Sequence, residues 1–165
     1  MNVIIEPFVA KRKVGDFDCG FPTLNNYLKT LALQSTRKGY GRTYLAIDDE
    51  TNKVLGYYTL ATATVQVTDM PNSESLMPPD VPVIRLGRLA VRTELQGQGF
   101  GAQLLIHACK QTLSVADLVG VCLLEVHTLH DKARSFYGKY GFVSFLDDTM
   151  HMFLTIDALR GLVED

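Results

Sequence analysis

A strand that runs into alternating glycines and then at once into a helix sets the terms for this chain: RLGRLAVRTELQGQGFGAQLL, Arg85 to Leu105. Gly97, Gly99 and Gly101 carry no Cβ, so the backbone there can turn with positive φ and can lie close to another group. A helix N-terminus exposes unpaired amides and the positive end of the helix dipole, so the segment can seat an anion on the main chain itself. Two familiar anion loops fit poorly. A phosphate loop for ATP requires Lys and then Ser or Thr after the last glycine, where Ala102 and Gln103 stand. A dinucleotide loop requires G-x-G-x-x-G in a largely parallel sheet, and the spacing here is G-x-G-x-G. A plain tight turn remains the alternative.

Patterning on either side of this segment predicts the sheet. Asp18 as a cap, Pro22 in the first turn and Leu24, Tyr27, Leu28 and Leu31 on one face predict a helix that stops at Gly39. RTYLAIDDETNKVLGYYTLATATVQV gives two β-rich runs about the turn-forming residues Asp48 to Asn52, an antiparallel hairpin. Pro71, Pro78, Pro79 and Pro82 exclude regular structure from Thr68 to Pro82, which reads as a surface loop. A strand from Val83 to Val91, a helix from Gly101 with Leu104, Leu105, Ala108, Cys109 and Leu113 at helical spacing, and a strand from Val119 to Val126 make a strand–helix–parallel strand unit. A helix through Ala133, Phe136 and Tyr137 ends at Gly141, and a last strand covers Met150 to Ile156. The expected fold class is α/β (α+β), a mixed and mostly antiparallel sheet with one parallel βαβ crossover. A length of 165 residues at 47% hydrophobic content suits a single domain, residues 1–165.

Charge and cysteine usage narrow the setting. No stretch approaches the roughly 18 apolar residues of a membrane span, and MNVIIEPFVAKRK lacks the order of a signal peptide. Cys19, Cys109 and Cys122 are scattered and odd in number, which suits a reducing compartment, so a cytoplasmic protein without a membrane partner is expected. The net charge of −2 gives no global attraction to nucleic acid, yet it hides basic clusters at Lys11 to Lys13, at Arg37, Lys38 and Arg42, and at Arg85, Arg88 and Arg92. His127 and His130 straddle a strand end and a helix start with no Cys or carboxylate at ligand spacing, so no metal is expected. His107 and His151 read as surface or half-buried residues, and Cys19 as a small packing residue. Glu125 is either a base acting through water or a charged strand end.

RLAVRTELQGQGFGAQLL resembles the acyl-coenzyme A site of the GNAT N-acetyltransferases, an L-A-V strand followed by Q/R-x-x-G-x-G/A, here Gln96, Gly99 and Gly101, opening a helix. The resemblance implies the GNAT fold with a splayed central strand, and acetyl-CoA as co-substrate. It implies a pyrophosphate held on the amides of Gln96, Gly97, Gln98, Gly99, Phe100 and Gly101, and a pantetheine arm paired with Leu89, Ala90 and Val91. An amide near Val91 would polarise the thioester carbonyl. HDKARSFYGKYGF, His130 to Phe142, resembles the family's N-x-x-A-x-x-F-Y-x-K-x-G-F, with His130 standing for the first Asn. It implies coenzyme contacts at His130, Ala133 and Phe136, and Tyr137 as proton donor to the departing thiolate. A phenol with a pKa of about 10 is neutral at pH 7 and can protonate a thiolate whose free pKa is about 8.5.

FDCGFPTLNNYLKTLALQSTRKGYGRTYLAI, Phe17 to Ile47, resembles the F-x-C-G-x-x-x-L-N-x-Y-L start and R-T-Y/F strand of the GNAT toxins of bacterial type II toxin–antitoxin pairs. That resemblance implies the α-amine of an aminoacyl-tRNA as acceptor, arrest of translation, a ribbon-helix-helix antitoxin as partner, and a homodimer. An amine beside an ester carbonyl is less basic than a free amino-acid amine, so little help from a base is demanded. Arg37, Lys38, Arg42, Arg85, Arg88 and Arg92 then become candidates to track tRNA phosphates. The alternatives are a GNAT enzyme for a protein or small-molecule amine, and a domain that binds coenzyme A without turnover; the intact Tyr137 and glycine run argue against the second.

Overall fold

The computed structural model describes residues 1–71 and 78–164. Among these residues seven strands, β1 (Val3–Pro7), β2 (Arg42–Asp48), β3 (Lys53–Gln66), β4 (Asp80–Val91), β5 (Leu123–His127), β6 (Val143–Ser144) and β7 (His151–Thr155), lie in the order β1-β2-β3-β4-β5-β7-β6. The helices are α1 (Pro22–Asn26), α2 (Ala32–Lys38), α3 (Phe100–Ala116), α4 (Asp131–Lys139) and α5 (Ile156–Glu164). β4 and β5 run parallel, from Val83 opposite Leu123 to Leu86 opposite Val126. A parallel pair needs a long crossover, and α3 supplies it. The β1–β2, β2–β3, β5–β7 and β6–β7 pairs are antiparallel. This is the mixed sheet that the patterning predicts. Contacts gather into two compact units, Met1–Ala61 with Gly87–Ala108, and Thr62–Leu86 with Cys109–Asp165, interleaved along the chain rather than divided at one linker.

The first unit packs α1 and α2 over β2 and β3. Phe17, Tyr27, Leu28, Leu45, Ile47, Val54 and Tyr57 are buried together. Tyr57 stacks with Tyr27, takes the edge of Phe17, and donates its hydroxyl to the Leu24 carbonyl at 2.7 Å. The helix expected from Asp18 to Gly39 is instead α1 and α2 joined by a π-helical turn, Tyr27–Leu31. Asp18 does not cap it. The cap position is Phe21, and Asp18 Oδ1 accepts from the Gly20 amide and the Asn25 side chain, holding the turn that leads in. Gly39 ends α2 in the left-handed region, φ 79°, as its position predicts. Gly56 marks a close approach, since a Cβ there would lie 2.6 Å from the Ala90 carbonyl oxygen.

In the second unit Val65, Val81, Val83, Leu123, Phe145 and Phe153 form a buried cluster. The strand expected from Val119 begins only at Leu123, because the amides of Leu118 and Val119 both turn back to the Val115 carbonyl and close α3. Ile156, expected to end the last strand, opens α5, which with β6 is absent from the sequence reading. Of the expected loop from Thr68 to Pro82, residues 72–77 lie outside the described residues; Val67–Asp69 make a 3-10 turn and β4 already starts at Asp80. None of the described helices is long and apolar enough to cross a membrane.

Candidate active site

The loop from β4 into α3 has the geometry of an anion seat. Gly97 and Gly99 adopt φ of 80° and 92°, values that L side chains rarely take. Among the described residues, the amides of Gly97, Gln98, Gly99, Phe100 and Gly101 donate to no backbone acceptor, and the first bond of α3 runs from the Gln103 amide to the Gly99 carbonyl. A Cβ at Gly97 or Gly99 would meet nothing within 4 Å, so the loop opens outward. Successive free amides about left-handed residues, with a helix dipole behind them, make an anion-binding concavity. Gln96 holds the loop in place rather than facing out from it, because its Nε2 donates to the carbonyls of Cys19 at 2.9 Å and Val91 at 2.8 Å. Ala90 and Val91, at the end of β4, are buried and Leu89 is half-buried.

Tyr137 lies in the second unit, on α4. Its ring is buried at 6% exposure between Phe136 and Phe142, in edge-to-face contacts of 5.1 and 5.3 Å. Its hydroxyl has no hydrogen-bond partner among the described residues, yet no fully enclosed polar side-chain atom lacks one. The hydroxyl therefore opens onto accessible space, unlike a core tyrosine with a satisfied hydroxyl. Burial, reinforced by the nearby Cys109, raises the phenol pKa, so the proton stays on at neutral pH. His130 caps α4: its Nδ1 accepts from the Ala133 amide at 3.1 Å, the bond an Asn would make there. Ala133 and Phe136 are half-buried on the same helix.

A polar cluster fills one face of β4, β5 and β7 in the second unit. Glu125 is fully enclosed and is bound by Arg85, through Nε to Oε1 and through Nη2 to Oε2 at 3.2 Å. His151 Nε2 lies 2.8 Å from Glu125 Oε2, and its Nδ1 lies 3.2 Å from Asp147. Glu125, expected as a water-assisted base or a charged strand end, is thus a buried carboxylate paired with a half-buried arginine, and the expected surface or half-buried His151 is 5% exposed. Burial alone would raise the Glu125 pKa, but the hydrogen bonds from Arg85 and His151 outweigh it and hold the carboxyl below its ordinary range. His127 stacks on His151 with centroids 3.9 Å apart and rings 9° from parallel. Glu125, His127 and His151 each offer a ligand atom within 4.8 Å of the others, a grouping hidden in sequence because His151 belongs to a different strand. In this structure Arg85 and His151 bind Glu125, and the His127 ring stacks on that of His151.

Residues 39–144 match the Acetyltransferase (GNAT) domain. The chain belongs to the GNAT acetyltransferase family. A tRNA-acetylating toxin of Mycobacterium tuberculosis (strain ATCC 25618 / H37Rv) is 36% identical over 165 residues, covering 96% of this chain and 98% of the relative. The solved structure of AtaT complexed with acetyl-methionyl-tRNAfMet is similar at a TM-score of 0.91 and 30% identity, covering 98% of this chain and 99% of that one. A tyrosine-to-phenylalanine mutant of the AtaT toxin, bound to the C-terminus of the antitoxin AtaR and acetyl-CoA, superposes at a TM-score of 0.85 and 30% identity, over all of both chains.

Within this GNAT chain the six expected phosphate contacts separate. Arg92 leaves that set. It is 5% exposed and its guanidinium donates to the Val54 carbonyl at 2.8 Å, the Asp16 carbonyl at 3.1 Å and Asp16 Oδ1 at 3.1 Å, so it staples the end of β4 inside the fold. Arg85 is held by Glu125. Arg88 lies flat on the Tyr27 ring, its guanidinium carbon 3.5 Å from the centroid. Arg37 and Lys38 are exposed in the last turn of α2, and Arg42 donates to the Thr36 carbonyl at that helix end. Arg37 also lines a groove of about 430 Å³ with Leu28, Lys29, Thr30, Leu33 and Gln34. Lys29 is not part of the basic clusters read from the sequence because it stands alone there, about two helical turns before Arg37.

Proposed function

We propose that this GNAT enzyme moves the acetyl group of acetyl-CoA to the α-amine of an aminoacyl-tRNA, and so acts as a translation-blocking toxin neutralised by a cognate antitoxin. The observation that carries the reading is the row of free amides from Gly97 to Gly101 at the start of α3, in a chain alike over nearly its whole length to a tRNA-acetylating toxin. The amides of Gly97 to Gly101 would hold the coenzyme pyrophosphate, and Leu89 to Val91 would pair with its pantetheine arm; the Gln96 amide, expected to join them, instead donates to the Thr93 carbonyl at 3.3 Å, so Gln96 only braces the loop. When bound, acetyl-CoA supplies the activated acyl group. Tyr137 holds a proton for the sulfur, on a hydroxyl that is raised in pKa and open to accessible space. His130 contributes by capping α4, with Ala133 and Phe136 beside it. Arg37, Lys38, Arg42 and Arg88, with Lys29 added, are the residues proposed to follow tRNA phosphates. A small ribbon-helix-helix antitoxin, a homodimer and a cytoplasmic setting complete the proposal.

The test is incubation of the protein with acetyl-CoA and total charged tRNA, followed by mass spectrometry of the released aminoacyl groups. Acetylated amino acids should appear only when the tRNA is charged. Transfer to peptide or polyamine acceptors, with none to charged tRNA, would overturn this reading in favour of a protein or small-molecule acetyltransferase.

A further inference from the structure

The ladder between β4 and β5 ends at Leu86 opposite Val126. His127 is the first residue of β5 beyond the last rung, so it stands at the carboxyl end of the parallel pair. Ligands of open α/β sheets gather beyond the carboxyl ends of parallel strands. Its ring is placed by what surrounds it. On one side it lies against His151, which is itself held between Glu125 and Asp147 and packed on Phe145 at 4.0 Å. On the other it is exposed, and among the described residues no hydrogen bond is made to either ring nitrogen. An imidazole stacked on one face and open at both nitrogens can take a proton from a bound group at either nitrogen.

We propose that His127 is a catalytic residue that accepts the proton shed by the acceptor amine. This rests on the acetyl-transfer reading above. As the amine nitrogen bonds to the thioester carbon, the nitrogen passes one proton to an open ring nitrogen of His127. The C–S bond breaks, the sulfur takes one proton from Tyr137, and solvent carries the proton from the imidazolium back to the phenolate. One amine and one thioester give one amide and one thiol, with no net proton. The groups facing His127 are His151 on β7, Glu125 on β5, Arg85 on β4 and Asp147 before β7. Partial burial and the neighbouring His151 lower the His127 pKa, with Arg85 acting the same way and Glu125 and Asp147 opposing them. The imidazole is therefore neutral, and able to accept, across the neutral range.

The experiment compares the parent protein with H127Q and H127A. Initial rates are measured from pH 5.5 to 8.5 with acetyl-CoA and bulk charged tRNA, acetyl-CoA affinity by calorimetry, and the imidazole ring by proton NMR titration. H127Q should keep the parent melting temperature and coenzyme affinity and lose about 10²-fold in kcat/KM. The acidic side of its log kcat/KM profile should lose one ionisation and keep that of the substrate amine. The missing ionisation should coincide with the NMR titration of His127 in the parent, and added imidazole should restore part of the H127A rate. H127Q at the parent rate would overturn the proposal. So would a slow H127Q whose acidic profile is unchanged, since His127 would then hold the acceptor rather than its proton. A parent protein inactive on charged tRNA but active on another amine would overturn the tRNA reading alone, because the same three measurements can be made with that amine.

Discussion

At the scale of single residues, what separates a chemical side chain from a packing one here is where its polar atom ends. Tyr57 and Tyr137 are both buried, both have a raised pKa because of that burial, and both sit among aromatic rings. Tyr57 donates to the Leu24 carbonyl, whereas the Tyr137 hydroxyl opens onto accessible space. Tyr137→Phe should lower kcat by about 10² to 10⁴ with acetyl-CoA affinity and thermal stability nearly unchanged, as steady-state kinetics, calorimetry and thermal melts on one preparation will show. A stable variant that still turns over at the parent rate would remove Tyr137 from the chemistry. Arg92 is the opposite case. Arg92→Ala should cost about 1 to 3 kcal/mol in urea unfolding, because it strands the Val54 and Asp16 carbonyls. The two arginines at positions 88 and 92 are alike in sequence, and nothing in their spacing says that one faces into the fold. Burial is decided by partners distant in sequence, Val54 and Asp16, which a local pattern does not contain.

At the scale of elements, the glycine loop and α4 were legible because their chemistry is local. Free amides require residues able to take positive φ immediately before a helix, and that requirement is written in consecutive positions. Gly99→Asp should abolish acetyl-CoA binding in calorimetric titration, since it forces an L side chain to φ near 92° and sets a carboxylate against the expected pyrophosphate. Retained affinity in a folded variant would displace the site. Gly56 was invisible for the complementary reason. Its constraint is the Ala90 carbonyl at 2.6 Å and the Leu104 side chain at 2.9 Å from an added Cβ, and neither is near it in sequence. Gly56→Ala should lower stability by about 1 to 3 kcal/mol without altering the acceptor profile. The π-helical turn at Tyr27–Leu31 likewise escaped a reading tuned to a 3.6-residue period, which accommodates one extra residue per turn without losing its apolar stripe.

At the scale of the whole molecule, charge acts in two ways, one through solvent and one through the interior. A net charge of −2 means that any attraction to tRNA comes from local clusters. Arg37→Glu with Lys38→Glu should therefore weaken tRNA binding and flatten its dependence on salt, leaving coenzyme affinity intact; filter binding between 50 and 200 mM salt reads both. The interior charge, Glu125, governs stability against acid. Its folded pKa lies beneath the ordinary carboxyl value because the bonds from Arg85 and His151 outweigh the cost of burial. A group of this kind contributes fully above its unfolded pKa, about 4.3 for Glu, and loses that contribution as pH falls through the folded value. Glu125→Gln should cost about 2 to 3 kcal/mol at pH 7, and less as the pH is lowered below 4, where the parent carboxyl is itself being protonated. Asp18, Asp48 and Glu94 also have lowered pKa values, so the variant should keep a shallower acid transition rather than none. Urea unfolding of both proteins from pH 7 to pH 3 measures the gap between them; a gap that stays constant across that range would mean that Glu125 stabilises the fold by packing and shape, with its charge contributing nothing.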